Sequence, residues 1–110
     1  VGSEMCIETD LQLLAKDTRT LYGAEAKYLV ALQWYNAGNY ASAEKEILNF
    51  IDQSTPYAYW LARSFILLSD VYVAMDKKLD ARQYLLSLQQ NYQADDDIAS
   101  MINERLEKLK

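Results

Sequence analysis

A chain of 110 residues with net charge −5, no histidine and a single cysteine is sized for one domain. Its acidic surface repels phosphate, which argues against nucleic acid and anionic membranes as partners. Three glycines and one proline are too few turn formers for a sandwich or barrel of short strands. The missing imidazole and lone thiol leave no zinc ligand set and no histidine general base.

Residues 5–16 place Ile7, Leu11 and Leu14 at helical spacing. Asp17-Thr18-Arg19-Thr20 reads as a break, with Thr18 or Thr20 able to cap the next helix. That helix is expected from Leu21 to Ala37, with Tyr28, Ala31, Leu32 and Tyr35 in period. Gly38-Asn39 stops it, because both residues accept the left-handed backbone of a helix end. The next helix runs from Tyr40 to Gln53 and turns Ala43, Ile47, Phe50 and Ile51 inward, leaving Glu44, Lys45 and Glu46 on a solvated face. Thr55 as cap with Pro56 at the first helical position then opens a helix to Met75. That helix is apolar nearly all round, so neighbours should enclose it. After the polar turn Asp76-Lys77-Lys78, a helix from Leu79 to Tyr92 turns Ala81, Leu85 and Leu88 inward. Asp95, Asp96 and Asp97 suit the start of a last helix. There Ile98, Met101, Ile102, Leu106 and Leu109 share a face, and Glu104 and Lys108 are spaced to pair. No run approaches 18 apolar residues, so no membrane-spanning helix is expected.

Val30, Ala31, Trp34, Ala43 and Ile47 recur 38 residues later as Leu68, Ser69, Tyr72, Ala81 and Leu85. Small residues let two helix axes approach, and Trp34, Tyr72, Ile47 and Leu85 fill the space around them. This pattern resembles the tetratricopeptide repeat, W-x2-L-G-x2-Y…A-x3-F…P. Gly38-Asn39-Tyr40 matches the family's turn within a pair. Lys27 and Phe65 stand where tryptophan is common, the second turn lacks its glycine, and the period exceeds the usual 34. The resemblance implies an all-α fold, a right-handed superhelix of antiparallel helix pairs with about five helices. Units would span 20–56 and 57–94. Residues 1–19 would end a preceding unit, and 95–110 would form a capping helix. So few units imply a piece of a longer array. Val1–Met5 has neither the charged nor the apolar part of a signal peptide.

Tyr22–Leu29 and Asn39-Tyr40-x2-Ala43-Glu44 are similar to repeats of bacterial envelope proteins, of the Tol-Pal-associated and outer-membrane assembly types. Tyr59–Leu68 is similar to repeat proteins of Bacteroides-type bacteria. These likenesses imply a scaffold in the periplasm or at the outer membrane. They bring no catalytic residues.

No phosphate loop, dinucleotide fingerprint or nucleophile elbow occurs, so no enzyme, cofactor or metal is expected. The three consecutive aspartates lack the spacing of a calcium loop. Cys6 reads as a small helix-face residue, with a reactive or lipid-carrying thiol as the alternative. The repeat register implies that Tyr28, Leu32, Tyr35, Arg63, Ile66 and Asp70, with Val73, line the first-helix face and its groove. Aromatics there offer contact area at low entropic cost. Tyr28 and Leu32 stand where a carboxylate clamp would need lysine and asparagine, so an extended or apolar segment of a protein or peptide is the expected ligand. The other reading is structural: these faces join the chain to the rest of an array or to a second copy.

Overall fold

The computed structural model describes residues 15–109. Most of the amphipathic run expected over 5–16, and with it Cys6, lies outside them. Among the described residues there are five helices and no strand: α1 (Leu21–Asn36), α2 (Tyr40–Asp52), α3 (Ala58–Ala74), α4 (Lys78–Asn91) and α5 (Ile98–Lys108).

Each boundary has a local cause. Thr20, not Thr18, caps α1 by accepting from the Gly23 N–H at 2.9 Å. Gly23 must be glycine here, since a Cβ would overlap the Asp17 carbonyl oxygen. Helix α1 ends with the Gly38 and Asn39 N–H groups donating back to Tyr35 and Trp34, while Gly38 takes φ +80°. That is a Schellman ending, which satisfies carbonyls the helix would otherwise leave open. Thirty-eight residues on, Asp76 and Lys77 donate to Val73 and Tyr72 in the same pattern, with Asp76 at φ +61°. The turn that lacks glycine in sequence therefore keeps the glycine conformation, at a steric cost an aspartate bears better than most residues.

Helix α3 begins at Ala58, two residues later than Thr55-Pro56 implied. The Thr55 hydroxyl is committed elsewhere. It donates to the Thr18 carbonyl at 2.6 Å and accepts from the Tyr57 N–H. The buried Thr18 also donates to Gln53, so the chain before α1 is stitched to the α2–α3 connection. At α5, Asp96 accepts from the Ile98 N–H, and Asp97 turns away to Tyr59 and Arg63.

Three-residue connections make hairpins of α1 with α2 and of α3 with α4. Helix α3 touches all four other helices, as its all-round apolar surface requires. One core cluster joins Ala31, Ala43, Ile47, Leu68, Val71, Tyr72 and Ala81. A second joins Ile66, Leu85 and Leu88 to Ile98 and Ile102 of α5. Burial follows the 38-residue repeat for Val30/Leu68, Ala31/Ser69, Ala43/Ala81 and Ile47/Leu85. It fails at Trp34, expected in the core but 37% exposed, whereas Tyr72 is 7% exposed. Helix α2 packs on α3 and brings Glu44 to the Tyr72 hydroxyl; no described helix stands in that place beside Trp34.

Two stability effects are expected. Asp76→Gly should raise stability by about 1 kcal/mol by removing the left-handed penalty, read as a higher urea midpoint at constant slope. Ala81→Leu should lower it by about 1–3 kcal/mol, because a fully buried alanine leaves no room for three more carbons.

Candidate binding face

Helices α1, α3 and α5 lie in a row, α3 touching both others. The row is tied at two levels by residues 35 apart. Arg63 donates to the Tyr28 hydroxyl at 3.2 Å, and Arg105 donates to both Asp70 oxygens at 2.9 and 3.0 Å. The second tie is a two-point ion pair, the more directional kind. Both of its side chains are about one-quarter exposed.

Beside that pair opens a cleft of about 530 Å³, lined among others by Tyr35, Asp70, Val73, Lys78, Glu104, Arg105, Lys108 and Leu109. Tyr35 enters from α1, Asp70 and Val73 from α3, Lys78 from α4, and the rest from α5 and its end. Burial and the nearby Asp70 carboxylate raise the Tyr35 hydroxyl above its ordinary range. Val73 is exposed and the cleft is open to solvent, so an apolar side chain can enter between charged rims.

The structure does not bring the residues expected on this face together as one set. Tyr35 and Asp70 line the cleft together. Leu32 is half-buried against the first core cluster. Arg63 sits in a separate nest, its guanidinium 5.2 Å above the Tyr28 ring and bonded to the Tyr59 hydroxyl, with Asp97 at 3.8 Å. Arg63 has one buried nitrogen, Nε, with no hydrogen-bond partner among the described residues.

Two expectations are corrected. Ile66 is 1% exposed, sealed in the cluster that α5 completes, and Tyr28 is 7% exposed, its ring 5.6 Å from Trp60. Neither side chain is open for a partner, because α5 and the Arg63 nest close that half of the face. Conversely Arg105, Lys78 and Lys108 belong to the cleft, although the repeat register does not point to them. The 35-residue step from Tyr35 to Asp70 to Arg105 is the signal that points to the first of them. Glu104 and Lys108, spaced to pair, both border the cleft.

A second depression, of about 360 Å³, lies between α1 and α2 beside Trp34. Lys27 is buried there and pairs with Glu46 at 2.9 Å, so Glu46 is not a merely solvated residue. One repeat later the same two positions hold Phe65 and Tyr84, ring centres 6.0 Å apart.

Besides the ion pair and the Ile98–Ile102 burial, the Tyr92 hydroxyl holds α5 by donating to Asp96 at 2.6 Å. Comparison with protein-family models, curated proteins and solved structures gives no match for the chain. Among the described residues no helix is long and apolar enough to cross a membrane.

Burial, then the Asp96 carboxylate, push the Tyr92 hydroxyl from 10.0 up to about 12. A raised value means the unfolded chain loses its proton first. The contribution is therefore complete below about pH 10 and is lost as pH rises through about 12. Tyr92→Phe should flatten that alkaline decline in stability, measured by urea unfolding at a series of pH values.

Proposed function

We propose that the chain is a non-catalytic protein-interaction module of tetratricopeptide type, which holds an extended segment of a partner protein against the α1–α3–α5 face. One observation carries the reading: Tyr35, Asp70 and Arg105, from three separate helices, meet in an open cleft that also exposes Val73. An aromatic ring and a valine supply the apolar contact. The Asp70–Arg105 pair is already satisfied and gives the cleft a fixed polar floor. Lys78 and Lys108 at the rim favour an acidic side chain next to the ligand's apolar anchor. The repeated Schellman turns and the 38-residue burial pattern support stacked helix pairs, arranged in the right-handed superhelix of that family. A scaffold role in a bacterial envelope rests on the sequence likenesses of Tyr22–Leu29 and Tyr59–Leu68.

The second reading, a structural segment of a longer array or a homo-oligomer, draws on the exposed Trp34. It concerns the other side of α1 and leaves the cleft open.

Peptides selected from a displayed random library against the folded chain should combine an apolar anchor with an acidic residue. Tyr35→Ala should weaken them by about 2 kcal/mol, roughly 30-fold in Kd, as truncation of an aromatic anchor does. Val73→Asp should weaken them as well, through repulsion and lost apolar contact. Unchanged affinity in both variants, with native circular dichroism, removes the cleft as the binding site.

A further inference from the structure

Helix α5 is one wall of the cleft. Glu104, Arg105, Lys108 and Leu109, from its second half and its end, stand in the lining. It is also the least buried helix among the described residues. Only Ile98 and Ile102 are enclosed, both in its first half, whereas each of the other helices buries three or more side chains. Towards the cleft Leu106 and Leu109 are only partly covered, and the polar tie to α3 there is Arg105 on Asp70.

The start of α5 is held by different groups. Asp97 accepts from the Tyr59 hydroxyl at 3.0 Å and stands 3.8 Å from the Arg63 guanidinium, both on α3. Asp96 accepts from the hydroxyl of Tyr92, at the end of α4. None of these residues lines the cleft. The latch is loose where the far tie is tight: Asp97 is more than half exposed, and Arg63 keeps a buried Nε without a partner among the described residues. Attachment and ligand lining thus lie at opposite ends of one rod, with Asp97 about 12 Å from Arg105 along the axis. An element with so little enclosed apolar surface is the kind that opens locally while the rest of a fold stays closed. The non-helical connection over 92–97 lets it swing.

We propose that α5 is a hinged wall: its docking, set by the Asp97 latch on Tyr59 and Arg63, and the filling of the cleft are one coupled equilibrium. The inference rests on the cleft being the binding site. When α5 opens, Arg105 leaves Asp70, and the cleft loses its guanidinium, the rim charges of Glu104 and Lys108, and the apolar Leu109. A segment held between α1, α3 and α5 therefore binds the docked state alone, and its apparent Kd rises as the docked fraction falls. The coupling is reciprocal, so a bound segment also closes the latch. Regulation of this kind reaches the cleft through residues that never touch the ligand.

The test follows hydrogen exchange of the α5 backbone amides and of the Arg105 Nε–H by nuclear magnetic resonance, on the full chain. Without ligand, Asp97→Ala and Tyr59→Phe should each speed both sets of signals by about tenfold, as loss of a charged hydrogen bond does. Asp97 makes no side-chain cap bond to α5, so its removal acts on the latch and not on the helix itself. An Arg105 Nε–H that keeps its parent rate in both variants, with native circular dichroism, overturns the proposal, since the cleft end is then held independently. The second arm adds a library-selected peptide whose affinity Tyr35→Ala lowers. At about 100 times its Kd, α5 exchange should slow roughly 100-fold. A bound peptide that leaves α5 exchange unchanged overturns the coupling and leaves the cleft as a site. Peptides indifferent to Tyr35→Ala remove the cleft reading and the proposal together.

Discussion

The structure depends on the burial of α3. This helix has apolar residues around most of its circumference, with Leu68 and Val71 fully enclosed, and every other helix packs on it. A helix of that kind is insoluble alone and gains its stability only from neighbours on several sides. Helices α1 and α2 cover one flank, α4 a second and α5 a third. Small side chains make the close approaches possible: Ala31 and Ala43 in one pair, Ser69 and Ala81 in the next, all at or near zero exposure. The Ser69 hydroxyl has no access to water and turns back to the Ile66 carbonyl at 2.6 Å, so a polar residue is tolerated at a packing position.

The two repeats preserve geometry more strictly than chemistry. Gly38 and Asp76 share a left-handed turn although only one of them suits it. Lys27–Glu46 and Phe65–Tyr84 occupy the same pair of positions, one as an ion pair and the other as two tilted rings in contact. Both solutions fill the space between the helices of a pair. The lysine stem covers apolar surface while its ammonium reaches a carboxylate, which makes a buried lysine acceptable. Composition at a repeat position is thus a weak guide to what the position does, and backbone periodicity is a stronger one.

That difference explains what could be read from the sequence. Helix limits were legible wherever the stop or start is local, as at Thr20 and Gly38-Asn39, and the inward stripes of α2 and α4 come directly from their period. Thr55-Pro56 misled because the threonine hydroxyl is claimed by Thr18, 37 residues away. Of the residues expected on the face, Tyr35 and Asp70 border the cleft, whereas Ile66 and Tyr28 are covered. Helix α3 is apolar nearly all round, so its own period cannot say which flank α5 will cover. The repeat position of Trp34 implies the core, but burial there depends on a neighbour that the position alone does not supply. Arg105 is not legible from the sequence of α5, because its role arises from its place beside Asp70, a lateral relation that no pattern within one helix contains.

The lateral ties have a consequence for how a ligand would be read. They join residues 35 apart, about one helical turn short of the 38-residue repeat. Across the row the face therefore offers an ordered series: a phenol from α1, a carboxylate from α3, a guanidinium from α5. Such a series has polarity, since the two ends differ in chemistry. Packed helix axes stand roughly 9 Å apart, and an extended chain advances about 3.3 Å per residue, so successive helices are met by every third residue. Under the proposed binding role, a segment laid across the row would be sampled in triplets and in one direction, and the reversed sequence would present its groups to the wrong helices.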